Sequence, residues 1–561
     1  MPIAPAKSLW KKIVEQYELH KAIRLPTEAI KKEVIELLRP ELPLWDNDEP
    51  YNAGLKRNIS VYNSAPQEGL ETWADGMQGH LATAAMPWFL YRSPNLGRSR
   101  DLNYVPIVRN WLEHAQNTMT DVLQDSNYYS YLSPIFRDAG SVGSAAGWIE
   151  LNEDKSGIDC LNFHPREIFV SEDHAGNIDQ FIRGSYQLTA LSASRYFDKE
   201  KLSDRLNKDL TENSMTRHKF ISFTAKKTDP IFDGEKDLPS RPWISVDIQE
   251  QADLAKQKPL KIEGYWSKPF SYWRFQRTTG SSYGWGLGCS AIVDIYGLHQ
   301  ITKNNLRQGE FATDPALYVP GSKRARVQMR PGGQTFGKVE DIPRILYDGG
   351  KYQYSADRED RAVLAIERWF NVPFFEQLNR AERQMTAYEV AQRLNEKGII
   401  LGPKTGRLNR EQFDQNHQRV FEICLRQGWI EPPPDILMEQ TQGHFTIDYN
   451  GILEQAQRIA REILQTQGVF EQVGFFKQLK EDVTDNFDID KTVIRIARNR
   501  SLPEGEIRTK EDVAAIRQSR ADAMAKQAQL EMAKEMAGQV PNLSKAPEEG
   551  SPIQQLIGAG T

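Results

Sequence analysis

The decisive pattern lies in Ser355-Ala-Asp-Arg-Glu-Asp-Arg-Ala-Val-Leu-Ala-Ile-Glu-Arg-Trp-Phe370, Asn371-Val-Pro-Phe-Phe-Glu-Gln-Leu-Asn-Arg-Ala-Glu-Arg-Gln-Met385 and Thr386-Ala-Tyr-Glu-Val-Ala-Gln-Arg-Leu394. From Ala356 to Phe370 the residues are helix formers with both signs of charge interleaved, and Val363, Ile366, Trp369 and Phe370 recur at three to four on one apolar face. Val372-Pro373 predicts the end of that helix, because Pro has no N–H to donate and pushes the residue before it out of the α region. Phe374 to Met385 is mixed in polarity without a period, which predicts a loop. Thr386-Ala-Tyr-Glu389 has the form of a capping box and opens a helix through Val390, Ala391 and Leu394 to Gly398, with Pro403 just beyond. A polar loop slung between two well-specified helices is held in place against something.

The remaining chain bounds what that something is. At 561 residues, 39% hydrophobic and 10% aromatic, it can bury a large core in several structural units. A mean hydropathy of -0.60 and the absence of any apolar run near the ~18 residues of a bilayer span argue against a membrane protein. The opening Met1-Pro-Ile-Ala-Pro-Ala-Lys7 shows no apolar signal region. Cys160, Cys289 and Cys424 are far apart and odd in number, as expected of reduced, buried small hydrophobes. A net charge of -5 excludes a generally basic nucleic-acid binder and leaves room for a local basic patch.

N-terminal to the decisive stretch, residues 7 to 39 suggest two polar helices broken at Leu25-Pro26, and Gly69 to Leu90 alternates small and apolar residues suited to a core. Val108, Trp111, Leu112, Ala115, Met119 and Val122 give an amphipathic helix between Val105 and Leu123, and a second helix is expected from Tyr128 to Asp138. The period then drops to two. Strands are expected at Trp148-Ile-Glu-Leu151, Cys160-Leu-Asn-Phe163, Glu167-Ile-Phe-Val170, Ile178 to Arg183, Lys219 to Ala225, Trp243 to Ile248 and Ile262 to Trp266, with helix between Leu188 and Leu210. A Gly-rich turn, Tyr283 to Gly288, leads into a long helix from Ser290 to Phe311, and a compact β-like insert follows Asp314-Pro315. C-terminal to the stretch, Asn409 is the expected N-cap of a helix to Arg426, and the remainder is nearly all helical, with Thr509-Lys-Glu-Asp512 opening a last long helix to Met536. The fold class is α+β.

No catalytic constellation emerges. Gly332-Gly-Gln-Thr-Phe-Gly-Lys338 has the spacing of a phosphate-binding loop, but Val339 stands where a Ser or Thr must coordinate Mg²⁺, and the flanks Arg-Pro-Gly and Glu-Asp-Ile-Pro are turn formers. Gly140-Ser-Val-Gly-Ser-Ala-Ala-Gly147 reads as close packing of a helix end on a strand rather than an anion cradle. His164-Pro165 reads as a turn, and Asp485, Asp488 and Asp490 lack the Gly and terminal Glu of a calcium loop. No metal or cofactor is expected. The basic run Lys323, Arg324, Arg326 and Arg330 weighs evenly between a solvated loop face and a surface for phosphates or a partner.

The order of parts resembles the portal (head-to-tail connector) proteins of short-tailed, podovirus double-stranded DNA bacteriophages. The resemblance rests on Leu378-Asn-Arg-Ala-Glu-Arg-Gln-Met-Thr-Ala-Tyr-Glu-Val390, Leu401-Gly-Pro403, Phe163-His-Pro-Arg-Glu-Ile-Phe-Val170 and Gly176-Asn-Ile-Asp179, and covers most of the chain. One departure is Gly286-Leu-Gly-Cys-Ser290, which lacks the Pro that the family usually carries before its first stem helix. The resemblance implies a ring of about twelve copies at one capsid vertex. It implies a wing from 1–288 and 388–450, stem helices at 289–312 and 351–372, and a clip at 313–350. It also implies a channel loop at 373–387, crown helices at 451–537 and a disordered tail at 538–561. On that pattern Arg380, Arg383, Gln384, Glu376 and Glu382 face DNA in the channel, while Lys323, Arg324, Arg326 and Arg330 are the clip's patch for motor, adaptor or DNA. Implied partners are further copies of itself, the major capsid protein, the large terminase subunit, the tail adaptor, scaffolding or internal core proteins, and double-stranded DNA without sequence preference. The place of action would be the virion, after assembly in the host bacterial cytoplasm, and the protein would not be an enzyme. The alternatives are a P-loop-like ATPase or motor subunit, and a monomeric helical adaptor.

Overall fold

The first helix, α1 (Leu9–Leu38), is continuous, where a break at Leu25-Pro26 was expected. Pro26 sits inside it because both arms are anchored. Leu9, Ile13 and Tyr17 are buried in one core and Val34, Ile35, Leu37 and Leu38 in another, so packing outweighs the single hydrogen bond that Pro removes. The buried Arg24 adds a third anchor, donating through Nη1 to the Ile168 carbonyl at 2.8 Å and through Nε to Glu28 at 2.5 Å.

The structure, a computed structural model, describes residues 8–43, 45, 61–85, 87–94, 102–252, 257–313, 317–318, 344–345, 352–379, 405–441, 445–449, 493–494, 508 and 510–539. After α1 come α2 (Ala65–Leu81), β1 (Phe89–Arg92), α3 (Pro106–Asp125), α4 (Tyr128–Ser141), β2 (Ser144–Leu151), β3 (Ile158–Asn162), β4 (Ile168–Glu172) and β5 (Ile178–Thr189). Next are α5 (Ala190–Tyr196), α6 (Asp204–Glu212), β6 (Arg217–Lys226), β7 (Trp243–Gln249), β8 (Lys261–Tyr265) and β9 (Phe270–Arg274). Then follow α7 (Leu287–Thr313), β10 (Leu317–Tyr318), β11 (Arg344–Ile345), α8 (Tyr352–Trp369) and α9 (Val372–Asn379). The described chain closes with α10 (Asp414–Gln427), α11 (Asp435–Thr441), β12 (Thr446–Tyr449) and α12 (Lys510–Gln539). No described helix is long and apolar enough to cross a membrane.

The chain is mixed helix and sheet. β4 to β8 form an antiparallel sheet in sequence order, and a second sheet runs β3-β2-β9. Alternation sets the faces of the first: Ile182, Ile221, Phe223, Ile244, Val246 and Ile248 point to one side and are sealed by the N-terminal arm of α1. β9 has no counterpart among the expected strands. All five of its residues are buried, so it lacks the alternation that marks a half-exposed strand. β1 pairs with β12, Phe89 opposite Tyr449, which ties a strand near the N-terminus to one near the far end of the described core. The largest core gathers α2, α3, α4, α7, α8, α9 and α10 around Trp73, Trp273, Phe136 and Phe370. Val108, Trp111, Leu112, Ala115 and Met119 are buried there as their spacing predicts, whereas Ala84 and Ala85, expected in a core, are exposed beyond the end of α2.

The Gly140–Gly147 stretch works through small size. A Cβ on Gly140 would come within 2.5 Å of the Trp73 ring, and one on Gly147 would overlap the Tyr131 hydroxyl. That hydroxyl is fixed by Ser271 Oγ at 3.1 Å and by the Gln412 amide, which donates to it at 2.9 Å. Tyr131 has nowhere to retreat, so Gly147→Ala is expected to destabilise the chain by about 1–3 kcal/mol, the range for overpacking a filled core. A fall in the urea midpoint at unchanged slope would show it.

Asn409 does not cap a helix. The helix is already running at residue 405 and passes through a π turn, Asn409–Phe413, before α10. Its other end falls close to the expected Arg426: α10 runs to Gln427, and Gly428 takes φ 76 and closes it. On α10, His417 is enclosed by the rings of Trp88, Phe89 and Tyr449. Its Nδ1 bonds the Phe413 carbonyl at 2.8 Å, while Nε2 is buried without a partner among the described residues. Burial pushes this imidazole down to about 4. A His depressed in the folded state contributes stability that is complete above its unfolded value of about 6.5 and is lost as pH falls towards the folded one. His417→Phe, which cannot take a proton, is therefore expected to lose about 3 kcal/mol less than the parent between pH about 6.5 and about 4. Paired urea melts at the two pH values measure that difference.

Candidate nucleic-acid interface

The residues expected to meet DNA and the packaging machinery hang from an antiparallel hairpin of α7 and α8. Its two helices are cross-linked at both ends of the contact. Near the α9 side, the Trp369 indole donates to Asp294 at 2.7 Å. Further along, the Glu359 carboxylate accepts from Thr302 Oγ1 and Asn305 Nδ2, each at 2.6 Å, and from Asn63 Nδ2 at 3.0 Å. One carboxylate thus fixes α7, α8 and the segment that enters α2. Neutral donors satisfy it there, a charge-assisted arrangement stronger than neutral pairs.

At the far end of the hairpin, Leu317 faces Ile345 and Tyr318 faces Arg344, so the chain that leaves α7 returns beside itself before α8. A two-stranded closure of the insert after Asp314-Pro315 is therefore present. Lys323, Arg324, Arg326 and Arg330 lie between those strands in sequence and fall outside the described residues, as does Gly332–Lys338.

At the near end the expectation of a loop from 373 needs correction. The break is at Asn371, whose φ of 55 is left-handed, and Val372 immediately starts α9. Pro373 sits in the first turn of a helix, where its missing N–H costs nothing and its fixed φ is already helical. Asn is among the few residues that enter the left-handed region readily, which makes Asn371 the hinge. Phe374 and Phe375 are buried, Phe375 against Gly76 and edge-on to His80 at 5.9 Å. A Cβ on Gly76 would overlap the Phe375 ring, so α9 is seated directly on α2. Glu376 is carried on α9 with an exposed side chain, whereas Arg380, Glu382, Arg383 and Gln384 fall outside the described residues, as does the capping box at Thr386.

The apolar face expected on α8 divides. Ile366 and Phe370 are fully buried and Val363 packs against the same core, but Trp369 turns outward. It is not alone: Val293 is 75% exposed, Leu306 54% and Leu364 51%. The hairpin therefore presents large apolar side chains to solvent on the faces that its own chain leaves open.

A second constellation was invisible to sequence reading. Arg274, 3% exposed at the end of β9, is held by Glu172 of β4, by Glu411 of the π turn at 2.5 Å and by the Gly176 carbonyl at 3.0 Å. Arg277 reaches the same Glu172 at 2.7 Å, and Arg407 approaches Glu411 at 3.7 Å. Two carboxylates are shared among three guanidinium groups that join the five-stranded sheet, β9 and the helix entering α10. Gln412 to Tyr131 and Arg419 Nε to the Ile149 carbonyl, at 3.1 Å, extend the seam. Its function is positional, since it fixes the 405–427 segment, which follows the α8–α9 arm, onto the first half of the chain. Among the described residues no group of three or more His, Cys, Asp or Glu is placed to hold a metal.

Comparison with known proteins gives the arrangement its context. The sequence matches the family described as bacteriophage head to tail connecting protein over residues 11–507. It is 25% identical over 492 residues to the portal protein of Salmonella phage epsilon15, covering 86% of this chain and 85% of that protein. It is 24% identical over 485 residues to the probable portal protein of Bordetella phage BPP-1, covering 84% of each.

Proposed function

The chain belongs to the bacteriophage head to tail connecting protein family, and from that premise we propose that it is the portal of a phage head, a ring at one capsid vertex through which the genome enters and leaves. The observation that carries the ring is the hairpin's exposed apolar surface, Val293, Leu306 and Leu364, three large side chains left open on two helices that are otherwise packed against each other. Apolar side chains of this size left open on rigid helices mark a surface that another protein covers. Repetition of one chain about an axis covers it without a further partner, by placing α7 of one copy against α8 of the next.

In this reading residues 289–312 and 351–372 are the stem, 313–350 the clip, 1–288 with 388–450 the wing, and 451–537 the crown. The clip, with Lys323, Arg324, Arg326 and Arg330, docks the large terminase subunit during packaging and the tail adaptor afterwards. The wing meets the major capsid protein, and scaffolding or internal core proteins recruit the ring during assembly in the host cytoplasm. The segment from Arg380 to Gln384, which follows α9 in sequence, faces double-stranded DNA. Its contacts are with phosphates and therefore independent of sequence. Energy for translocation comes from the motor, and the chain itself is a structural conduit.

Negative-stain images and native mass of the purified chain test this. A closed ring of about a dozen copies is expected, and Val293→Glu with Leu364→Glu is expected to leave folded monomers by placing unpaired charge in each contact. Monomers of the parent chain under every condition tried would sink the proposal.

A further inference from the structure

The five-stranded sheet has a second face, opposite the one sealed by α1. Arg183, Ser222 and Asp247 lie in register across β5, β6 and β7, and Ser245 and Glu263 across β7 and β8. This face is polar, yet it is roofed. The β2–β3 hairpin brings Trp148 and Glu150 over it, and α5 brings Tyr196, leaving a cavity of about 320 Å³. Aromatic rings form its walls, Trp148 meeting Tyr265 edge-on at 5.6 Å with Tyr186 and Phe181 beside them.

The charges inside do not balance. Asp247 is only 6% exposed and receives a hydrogen bond from Ser222, and Glu150 receives the Trp148 indole N–H at 3.3 Å. Neither forms an ion pair with a cation among the described residues. The nearest cations are committed elsewhere. Arg183 donates to Glu167 at 3.0 Å while stacked 4.3 Å from the Phe163 and Tyr186 rings, and Lys261 pairs with Glu263 at 3.0 Å. Lys261 also shows what the rim accepts: its ammonium lies 4.2 Å from the Tyr196 ring centre, a cation on an aromatic face beside a carboxylate. Burial pushes Asp247 up to about 6, and the hydrogen bond from Ser222 and the nearby Lys261 and Arg183 charges, neither of them paired with it, offset that only in part.

We propose that this cavity binds a primary alkylammonium, an ammonium group on a short hydrocarbon chain, with Asp247 and Glu150 taking the charge and the Trp148, Tyr186, Tyr196 and Tyr265 rings packing the methylenes. The walls suit methylenes and the two carboxylates suit charged N–H donors, whereas an anion would be repelled and a neutral alcohol could donate its O–H but would bring no counter-charge. The same chemistry arrives from two sources, a free diamine or the lysine side chain of a partner protein.

Calorimetry on the full chain separates these outcomes, using cadaverine, its neutral match 1,5-pentanediol, and Nα-acetyl-lysine methylamide. Saturable binding is expected for an amine and none for the diol. Asp247→Asn is expected to weaken the amine about tenfold or more, the size of one lost charge-assisted hydrogen bond. Tighter cadaverine assigns the site to free diamines, and an equal or tighter lysine amide assigns it to a partner's side chain. If Asp247→Asn does not fold, Glu150→Gln is read in its place. If that fails too, amine against diol on the parent chain decides. No saturable heat from either amine at about 10 mM, equal binding of amine and diol, or amine binding unchanged in the folded variants overturns the assignment.

Discussion

Arg274→Met is expected to destabilise the folded chain by about 3–5 kcal/mol, the range for removing one partner of a buried ion pair. The Met side chain approximates the aliphatic stem of Arg and fills much of its volume, so loss of packing is the smaller part of the effect. The larger part is what remains behind. Glu172 and Glu411 both point at the Arg274 guanidinium, and the Gly176 carbonyl loses its donor as well. Arg277 and Arg407 still offer some compensation, to Glu172 and Glu411 respectively, which keeps the expected cost within that range. A double change, Arg274→Met with Glu411→Gln, is expected to cost less than the sum of the two single changes, because the second removes a charge that the first has stranded. Urea unfolding at one fixed protein concentration measures all three, since assembly would otherwise shift the midpoints. A single-site cost below about 1 kcal/mol, typical of surface pairs, would show that the seam between the sheet and the 405–427 segment is held by packing alone.

Why that seam escaped sequence reading is a matter of distance along the chain. Glu172 and Glu411 lie 102 and 137 residues from Arg274, and no local period connects them. What was legible was local and repetitive. The α3 stripe from Val108 to Met119 has the helical period, and the β5–β7 strands alternate, so both were expected in place. Local rules failed where tertiary packing outweighed them. Pro26 should break a helix, yet α1 is clamped on both sides of it; Val372-Pro373 should end one, yet it begins α9 once Asn371 has turned the chain. The candidate DNA-facing residues were nominated for a different reason. No periodicity singled out Arg380 or Arg383; the ordered string from Leu378 to Val390 did so, through its likeness to a family. The described element that leads into that string, α9, is seated with Phe375 against Gly76 of α2.

Neutralising that segment should then separate assembly from function. Arg380→Ala with Arg383→Ala is expected to leave rings of normal size and to reduce packaged or retained DNA about tenfold or more, since each phosphate contact contributes to a salt-dependent affinity summed around the ring. Neither residue is in the hairpin surface proposed to join copies, so assembly has no reason to fail. Repetition is what makes the effect large. In the proposed ring every copy would contribute both cations, and removing them would delete a band of positive charge rather than two isolated contacts. Purified rings give the direct readout. Binding of a short duplex between about 50 and 200 mM salt should lose slope in the doubly substituted ring, by about 0.9 in log–log form for each phosphate contact removed. Glu376→Gln should act in the opposite sense. Its exposed carboxylate sits on α9, where in the proposed channel it would weaken attraction to a polyanion, so its removal should tighten binding and slow passage. A doubly neutralised ring with unchanged salt slope that packages and retains DNA normally would remove the segment from the DNA path. Rings that no longer form would instead place Arg380 and Arg383 in the contact between copies.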